Sequence, residues 1–365
     1  MSTTRKIAIN TGGGDAPGLN AVIRAAALSA INRGWEAYGI HRAYAGLLGE
    51  DEIVPLTRDA VRGITHLGGT ILGTTTHGNP FAWPVKQPDG TTRRVDRSDE
   101  LMAAFQRHGF DALIAIGGDG SLRIANELSQ KGMPIVGVPK TIDNDIEGTQ
   151  LTFGFLTAVY VATDAIDRLH STAQAHERVM IVEVMGRDTG WIALFSGVAG
   201  TADVILIPEI PYRIERVCEK VMERERMGRH FTIMVAAEGA YPVGGEPVYE
   251  DREKRRLGGI CEVLAQQISE TTGKETRALA RRPARRRAPW RCATSSAAAR
   301  RSRTTVSSHS GSAPPRLSAS RRASSDAWSP SIRPTCGRYR WPKRSAGKSG
   351  CPWMAMSSPP RGHWE

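Results

Sequence analysis

Apolar residues in this chain arrive in short bursts that stop abruptly, and between the bursts they recur every three or four positions. Ile7-Ala8-Ile9-Asn10 runs into Thr11-Gly12-Gly13-Gly14-Asp15-Ala16-Pro17-Gly18. Ala112-Leu113-Ile114-Ala115-Ile116 runs into Gly117-Gly118-Asp119-Gly120-Ser121. Ile135-Val136-Gly137-Val138 runs into Pro139-Lys140-Thr141-Ile142-Asp143-Asn144-Asp145. Unbroken apolar runs of this length, closed by turn residues, predict strands buried on both faces, as in a parallel sheet. Leu19, Val22, Ile23, Ala26, Ala27 and Ala30 mark one side of a helix. Further helices are expected near residues 58–66, 100–108 and 122–128, and Tyr38-Gly39-Ile40 reads as a strand. Residues 84–98 are polar, with Pro88-Asp89-Gly90 as a turn, and read as a surface excursion.

The alternation continues after the third burst. Residues 155–170, 191–198 and 214–227 read as helices, and 179–184, 204–207 and 231–237 as strands. The first of these strands ends in Met185-Gly186-Arg187 and the last at Glu238. The expected fold class is α/β, with two doubly wound parallel-sheet domains over residues 1–154 and 155–277. The remaining residues, 278–365, follow a different pattern.

Charge separates that last stretch from the rest. The chain has 365 residues and a net charge of +12, which by itself would suggest a nucleic-acid partner. Residues 281–365 hold 19 of the 49 basic groups and 2 of the 37 acidic ones, so residues 1–280 carry a net charge of −5. The tail has 17 Arg, 17 Ser and five of the eight Trp, but one residue each of Leu, Ile and Val. Such a composition does not bury a core and predicts disorder. An Arg/Ser-rich RNA-binding tail is one reading. The favoured reading is a frameshift near residues 278–282 of a GC-rich gene, which generates Arg, Ala, Ser and Pro. Pro289-Trp290-Arg291-Cys292-Ala293, back-translated and read with the frame shifted by one base, can yield Val-Ala-Met-Arg-His. The five cysteines form no CxxC pair, the start has no signal-like apolar region, and no run reaches membrane-spanning length. A cytoplasmic protein with no membrane partner is expected.

The loops after the bursts carry the chemistry. Glycines at a strand-to-helix turn expose backbone N–H groups to phosphate oxygens, although Gly13 and Gly14 alone also suit a plain turn. Asp119, between glycines at a strand end, suits Mg²⁺ or, alternatively, a helix cap. Asp143 and Asp145 are spaced to activate a hydroxyl, although Asp143 and Asn144 also suit an Asx turn. Arg178, Arg187 and Arg277 can grip anions through a planar fork, or can be solvated surface charges. His170 and His176 read as helix-surface residues. Phosphoryl transfer from a nucleotide to an alcohol is the chemistry these loops spell.

Over residues 5 to about 277 the chain resembles the 6-phosphofructokinase family. The runs that match are Gly13–Asn20, Gly117–Ser121, Pro139–Asp145, Met185–Arg187, Glu238 and Glu275-Thr276-Arg277. The resemblance implies ATP and fructose 6-phosphate as substrates, with Mg²⁺. It implies Gly13, Gly117, Gly118, Asp119, Gly120 and Ser121 at the nucleotide, with Asp119 on the metal. Asp143 is the implied base, Thr141 bonds the transferring group, and Asp145 positions the metal or Thr141. Thr141, Ile142, Asp143, Met185, Gly186, Arg187 and Glu238 are implied sugar-phosphate contacts. Arg178 and Arg277 reach the sugar 6-phosphate across a subunit boundary, which implies a homo-oligomer, dimer or tetramer. In pyrophosphate-dependent relatives the position of Gly120 resembles an Asp that would crowd the α-phosphate, so Gly120 favours ATP, whereas Lys140 matches the pyrophosphate type.

Two departures stand out. Thr76, followed by His77, occupies the position of an Arg at the ATP site of many relatives. The segment Gly-His-x-Gln-Arg-Gly-Gly expected after Arg277 is absent, together with the closing elements of both domains. That absence puts the activity of the chain as written in question. The alternatives are a pyrophosphate-dependent enzyme, an NAD or lipid kinase sharing the Gly-Gly-Asp-Gly loop, or a degenerate kinase body with a basic nucleic-acid-binding tail.

Overall fold

The first apolar burst forms β1 (Lys6–Gly12), and the amphipathic segment after it forms α1 (Leu19–Asn32). A computed structural model describes residues 4–279 apart from Asp89 and Lys254. The expectation of a disordered tail over 278–365 therefore falls, from residue 280 on, outside the described residues. Next come β2 (Glu36–Ile40), β3 (Ile53–Pro55), the pair β4 (Trp83–Lys86) and β5 (Thr92–Val95), and α2 (Ser98–Arg107). The second and third bursts form β6 (Ala112–Gly117) and β7 (Ile135–Thr141), joined by α3 (Asp119–Gln130), and β8 (Phe153–Gly154) follows.

These strands build a six-stranded sheet in the order β3-β2-β1-β6-β7-β8, in which β3 alone is antiparallel. From β1 the chain crosses by α1 to β2 on one side, whereas from β6 it crosses by α3 to β7 on the other. The direction of winding thus reverses between β1 and β6, which opens a crevice at their carboxyl ends. In register, Gly12 stands beside Gly117 at that edge.

The second half runs α4 (Phe155–His176), β9 (Val179–Val184), α5 (Trp191–Ala199), β10 (Val204–Leu206), α6 (Ile214–Arg226) and β11 (Thr232–Ala237). A small antiparallel pair, β12 (Tyr249–Asp251) and β13 (Arg256–Leu257), precedes α7 (Ile260–Thr272) and β14 (Thr276–Leu279). The order β10-β11-β9-β14 is wholly parallel. Alternate residues face opposite layers: Val182, Val184, Ile233 and Val235 meet Phe155, Ala158 and Ile192, while Val179, Ile181, Met234 and Ala236 meet Val217, Val221, Leu264 and Ile268. Covering both faces is what a continuous apolar strand such as Thr232–Ala237 requires. Both sheets lie within one structural unit.

Three expectations need correction or extension. Residues 58–66 form turns, not a helix. Val61 N–H bonds Thr57 O, Arg62 N–H already falls back to Asp59 O, and Gly63 at φ 72° ends the turn. The polar excursion is a β-hairpin, with Gly90 at φ 82° in its turn. Helix α3 starts at Asp119 rather than Leu122, and α4 continues to His176. Two half-buried acids hold the second sheet's helices: Glu183 accepts from Gly259 and Cys261 N–H at the start of α7, and Asp203 pairs with Arg224 of α6 at 2.7 Å. Cys218 and Cys261 are free and buried. Among the described residues no helix is long and apolar enough to cross a membrane.

Candidate active site

At the crevice, glycine lets three segments approach one another. A Cβ on Gly117 would lie 2.3 Å from Ser121 Cβ, and one on Gly12 would lie 2.8 Å from Ser121 Oγ. Gly13 takes φ 80° and donates its N–H to Thr75 O at 3.1 Å. Thr74 Oγ1 donates to Gly13 O at 2.6 Å, so residues 73–77 lie against the glycine turn. Thr76 and His77, exposed, sit on that neighbouring loop. Helix α3 makes its first i→i−4 bond from Leu122 N–H to Gly118 O at 2.9 Å. The N–H groups of Asp119, Gly120 and Ser121 therefore have no acceptor within the helix, and the helix dipole adds partial positive charge there. Asp119 does not cap the helix; its carboxylate pairs with Arg123 one turn along, at 2.9 Å, and both are exposed. Beyond Gly120 there is open space, and a Cβ on it would meet no heavy atom within 4 Å.

The carboxylate loop leaves β7 beside this crevice. Lys140 is 4% exposed, and its Nζ donates to the Gly14 carbonyl. Burial pushes its pKa down, while Asp15 and Asp143 push it back up. Thr141 Oγ1 accepts from Asp143 N–H at 3.2 Å and lies 3.4 Å from Asp143 Oδ2. Ile142, half-buried, packs toward the second sheet's core. Asn144, at φ 54°, carries the structural bonds of the turn, accepting from Thr152 N–H at 2.9 Å and donating to Gln150 O at 3.2 Å. Burial, first, and then Asp145 and Asp188 raise the Asp143 pKa. Asp145 is also raised, by burial and then by Asp119 and Asp188.

Met185, Gly186 and Arg187 leave the carboxyl end of β9 next to the same loop. Gly186 adopts φ 150°, and a Cβ there would meet Thr189 O at 2.6 Å. Arg187 is exposed and donates to Arg255 O at 3.0 Å. Glu238 follows β11, its N–H bonded to Val184 O at 2.9 Å. Thr189 Oγ1 donates to the Asp143 carbonyl at 3.1 Å, which joins the two sheets' loops. Asp188 and Thr189 are absent from the sequence-based site, although their place directly after Met-Gly-Arg was a signal.

Arg178 and Arg277 stand elsewhere. Arg178 precedes β9 and Arg277 lies beside Met180 near its start, so both are at the amino edge. Six strand residues at ~3.3 Å each put them roughly 20 Å from Met185–Arg187. The two arginines converge on Glu275, at 2.8 and 3.3 Å. The Arg178 contact has ion-pair distance without hydrogen-bond direction. Arg178, and then Arg277, hold the Glu275 carboxyl below its usual range. His170 bonds Gly200 O at 2.9 Å, a structural role.

After burial, the charge of Asp188 helps raise the pKa of both Asp143 and Asp145, and Asp119 helps raise that of Asp145, so carboxylates from three segments face one region. This donor set fits a hard divalent cation. Among the described residues no group of three or more His, Cys, Asp or Glu is placed to hold a metal ion by itself. Phosphate oxygens and water would have to complete the shell.

A family model described as Phosphofructokinase matches residues 6–284. The chain is 53% identical over 276 residues to the ATP-dependent 6-phosphofructokinase of Chloroflexus aurantiacus, covering 76% of each. It is 52% identical over 271 residues to ATP-dependent 6-phosphofructokinase 2 of Clostridium perfringens, covering 73% of this chain and 74% of the relative. It is 48% identical over 281 residues to the pyrophosphate–fructose 6-phosphate 1-phosphotransferase of Amycolatopsis methanolica, covering 75% and 78%. Among solved structures, Pichia pastoris phosphofructokinase in the T-state is similar with a TM-score of 0.63 and 31% identity. The match covers 76% of this chain but 29% of that longer one.

Proposed function

The chain belongs to the phosphofructokinase family, and we infer that it is an ATP-dependent 6-phosphofructokinase, transferring the γ-phosphoryl of ATP to the 1-hydroxyl of fructose 6-phosphate. The observation that carries the reading is the placing of Asp143, half-buried and raised in pKa, beside a glycine-lined helix N-terminus. Residues 1–154 supply the nucleotide side and 155–277 the sugar side.

The nucleotide phosphates lie against Gly13 and the first N–H groups of α3, at Gly117, Gly118, Gly120 and Ser121. Thr76 and His77 flank them from the adjoining loop. Mg²⁺, held by Asp119 with Asp145 nearby, supplies charge neutralisation for the phosphates when bound. Asp143 takes the proton of the sugar hydroxyl as its oxygen attacks, and Thr141 fixes the carboxylate. Ile142, Met185, Gly186, Arg187 and Glu238 line the sugar side. Arg178 and Arg277 stand at the far end of β9, so in this reading they serve the 6-phosphate of a second copy, and the enzyme works as a homo-oligomer. The setting is the cytoplasm.

Pyrophosphate dependence is the second reading, supported by buried Lys140 facing the glycine turn and by the Amycolatopsis relative. Product formation from fructose 6-phosphate with each donor separates them. Conversion with neither donor by the 365-residue chain would overturn both for this chain. Activity of the parent domain would then be sought after a one-base frame correction.

A further inference from the structure

The base loop and the sugar-side turn come from different sheets, and the Thr189 hydroxyl bridges them by donating to the Asp143 carbonyl at 3.1 Å. Thr189 is itself tightly held. The turn before it closes so sharply at Gly186 that a side chain there would strike the Thr189 carbonyl. Directly after it, Gly190 N–H is gripped by both oxygens of Glu209, at 2.9 and 3.1 Å, where α5 begins. A Cβ on Gly239 would lie 2.0 Å from Arg187 O, so the segment that follows β11 backs the same turn.

Asp143 is held differently. Its N–H and carboxylate both engage Thr141 within its own loop, and Asn144 and Thr152 hold the backbone that follows. Movement of the carboxylate relative to the sugar-side turn is limited from outside the loop by the Thr189 bond. We propose that Thr189 is a positioning residue for phosphoryl transfer, setting Asp143 against the turn that carries Met185 and Arg187. The proposal rests on Asp143 being the base. A displacement of about 1 Å at a reacting group can cost on the order of 10²-fold in rate, so one hydrogen bond at this junction has leverage on turnover.

Thr189→Val keeps the shape but cannot donate, and Thr189→Ser keeps the donor. In the full chain assayed with ATP and fructose 6-phosphate, Thr189→Val lowers kcat by about tenfold while the sugar-phosphate KM changes less than about twofold. Thr189→Ser stays within about twofold of the parent. In an Asp143→Asn background, adding Thr189→Val causes no further loss, because the hydroxyl acts through Asp143. Hydrogen exchange without substrate gives a readout independent of turnover: the Asp143–Asp145 amides exchange about tenfold faster in Thr189→Val and unchanged in Thr189→Ser. Parent-like kcat and exchange in Thr189→Val would overturn the proposal, as would an equal kcat loss with or without Asp143. Near-normal turnover of Asp143→Asn would instead remove the base assignment, and a dead Asp143→Asn with a normal Thr189→Val would remove Thr189 alone.

Discussion

Substituting Gly120 by Asp is the sharpest test of why the donor is ATP. Gly120 is exposed at the second position of α3, and a Cβ there meets no heavy atom within 4 Å. The fold therefore accommodates a side chain. Replacing a helical Gly stabilises by ~0.5–1 kcal/mol, and an acid in the first turn adds a few tenths more, partly offset by adjacent Asp119. Opposition to the nucleotide must then come from charge. At about 5 Å and an effective dielectric of roughly 20, a carboxylate and one phosphate charge repel by ~3 kcal/mol. That is on the order of 10²-fold in kcat/KM. Gly120→Ala, which adds volume without charge, should stay within a few-fold on ATP. The assay is formation of fructose 1,6-bisphosphate by the parent, Gly120→Ala, Gly120→Asn and Gly120→Asp, with ATP or pyrophosphate, beside thermal melts. Gly120→Asp should lose ATP use at unchanged or higher Tm. Retention of ATP use within about threefold would refute the charge argument, and an equal loss in Gly120→Ala would replace charge by volume. A parent preferring pyrophosphate would show that buried Lys140 sets the donor.

Asp143→Asn should lower kcat by on the order of 10²–10⁴ with little change in sugar-phosphate KM. The same change should raise Tm at pH 7: a carboxyl with a raised folded pKa costs stability once ionised, so the gain should shrink as pH falls through that pKa and vanish only below the ordinary carboxylate value of the unfolded chain. Asp188→Asn removes a charge that opposes Asp143 ionisation, so the acid limb of kcat/KM should move to lower pH; a shift to higher pH would contradict the cluster. Arg178→Ala or Arg277→Ala should chiefly raise the KM for fructose 6-phosphate, by roughly tenfold, and a pure kcat effect would place them elsewhere. Sequencing codons 275–285 and correcting one base should recover a Gly-His-x-Gln-Arg-Gly-Gly-like run; its absence from every frame would end the frameshift reading.

Much of this architecture is local and could be read from the chain. Strands such as Ala112–Ile116 and Val179–Val182 are apolar on both faces because both faces are covered, so burial writes itself into a continuous run. Gly117–Ser121 and Pro139–Asp145 are legible because a strand end followed by glycine and carboxylate has few other uses. Residues 58–66 misled because their spacing suits a helix while Gly63 takes a positive φ and ends the turn. What the chain could not disclose depends on register and crossing. Only the sheet order places Gly12 beside Gly117, and only the approach of Ser121 shows why neither carries a side chain. Only the packed loops bury Asp143 and Asp145 and bring Asp188 close enough to help raise both their pKa values. Arg178 and Arg277 look in sequence like partners of Arg187, yet β9 holds them at its opposite end around Glu275. The Thr189–Asp143 bond spans 46 residues and two sheets, so no local preference encodes it. Local sequence determines what each segment is; long-range packing determines which segments meet, because those contacts form only when the sheets are assembled.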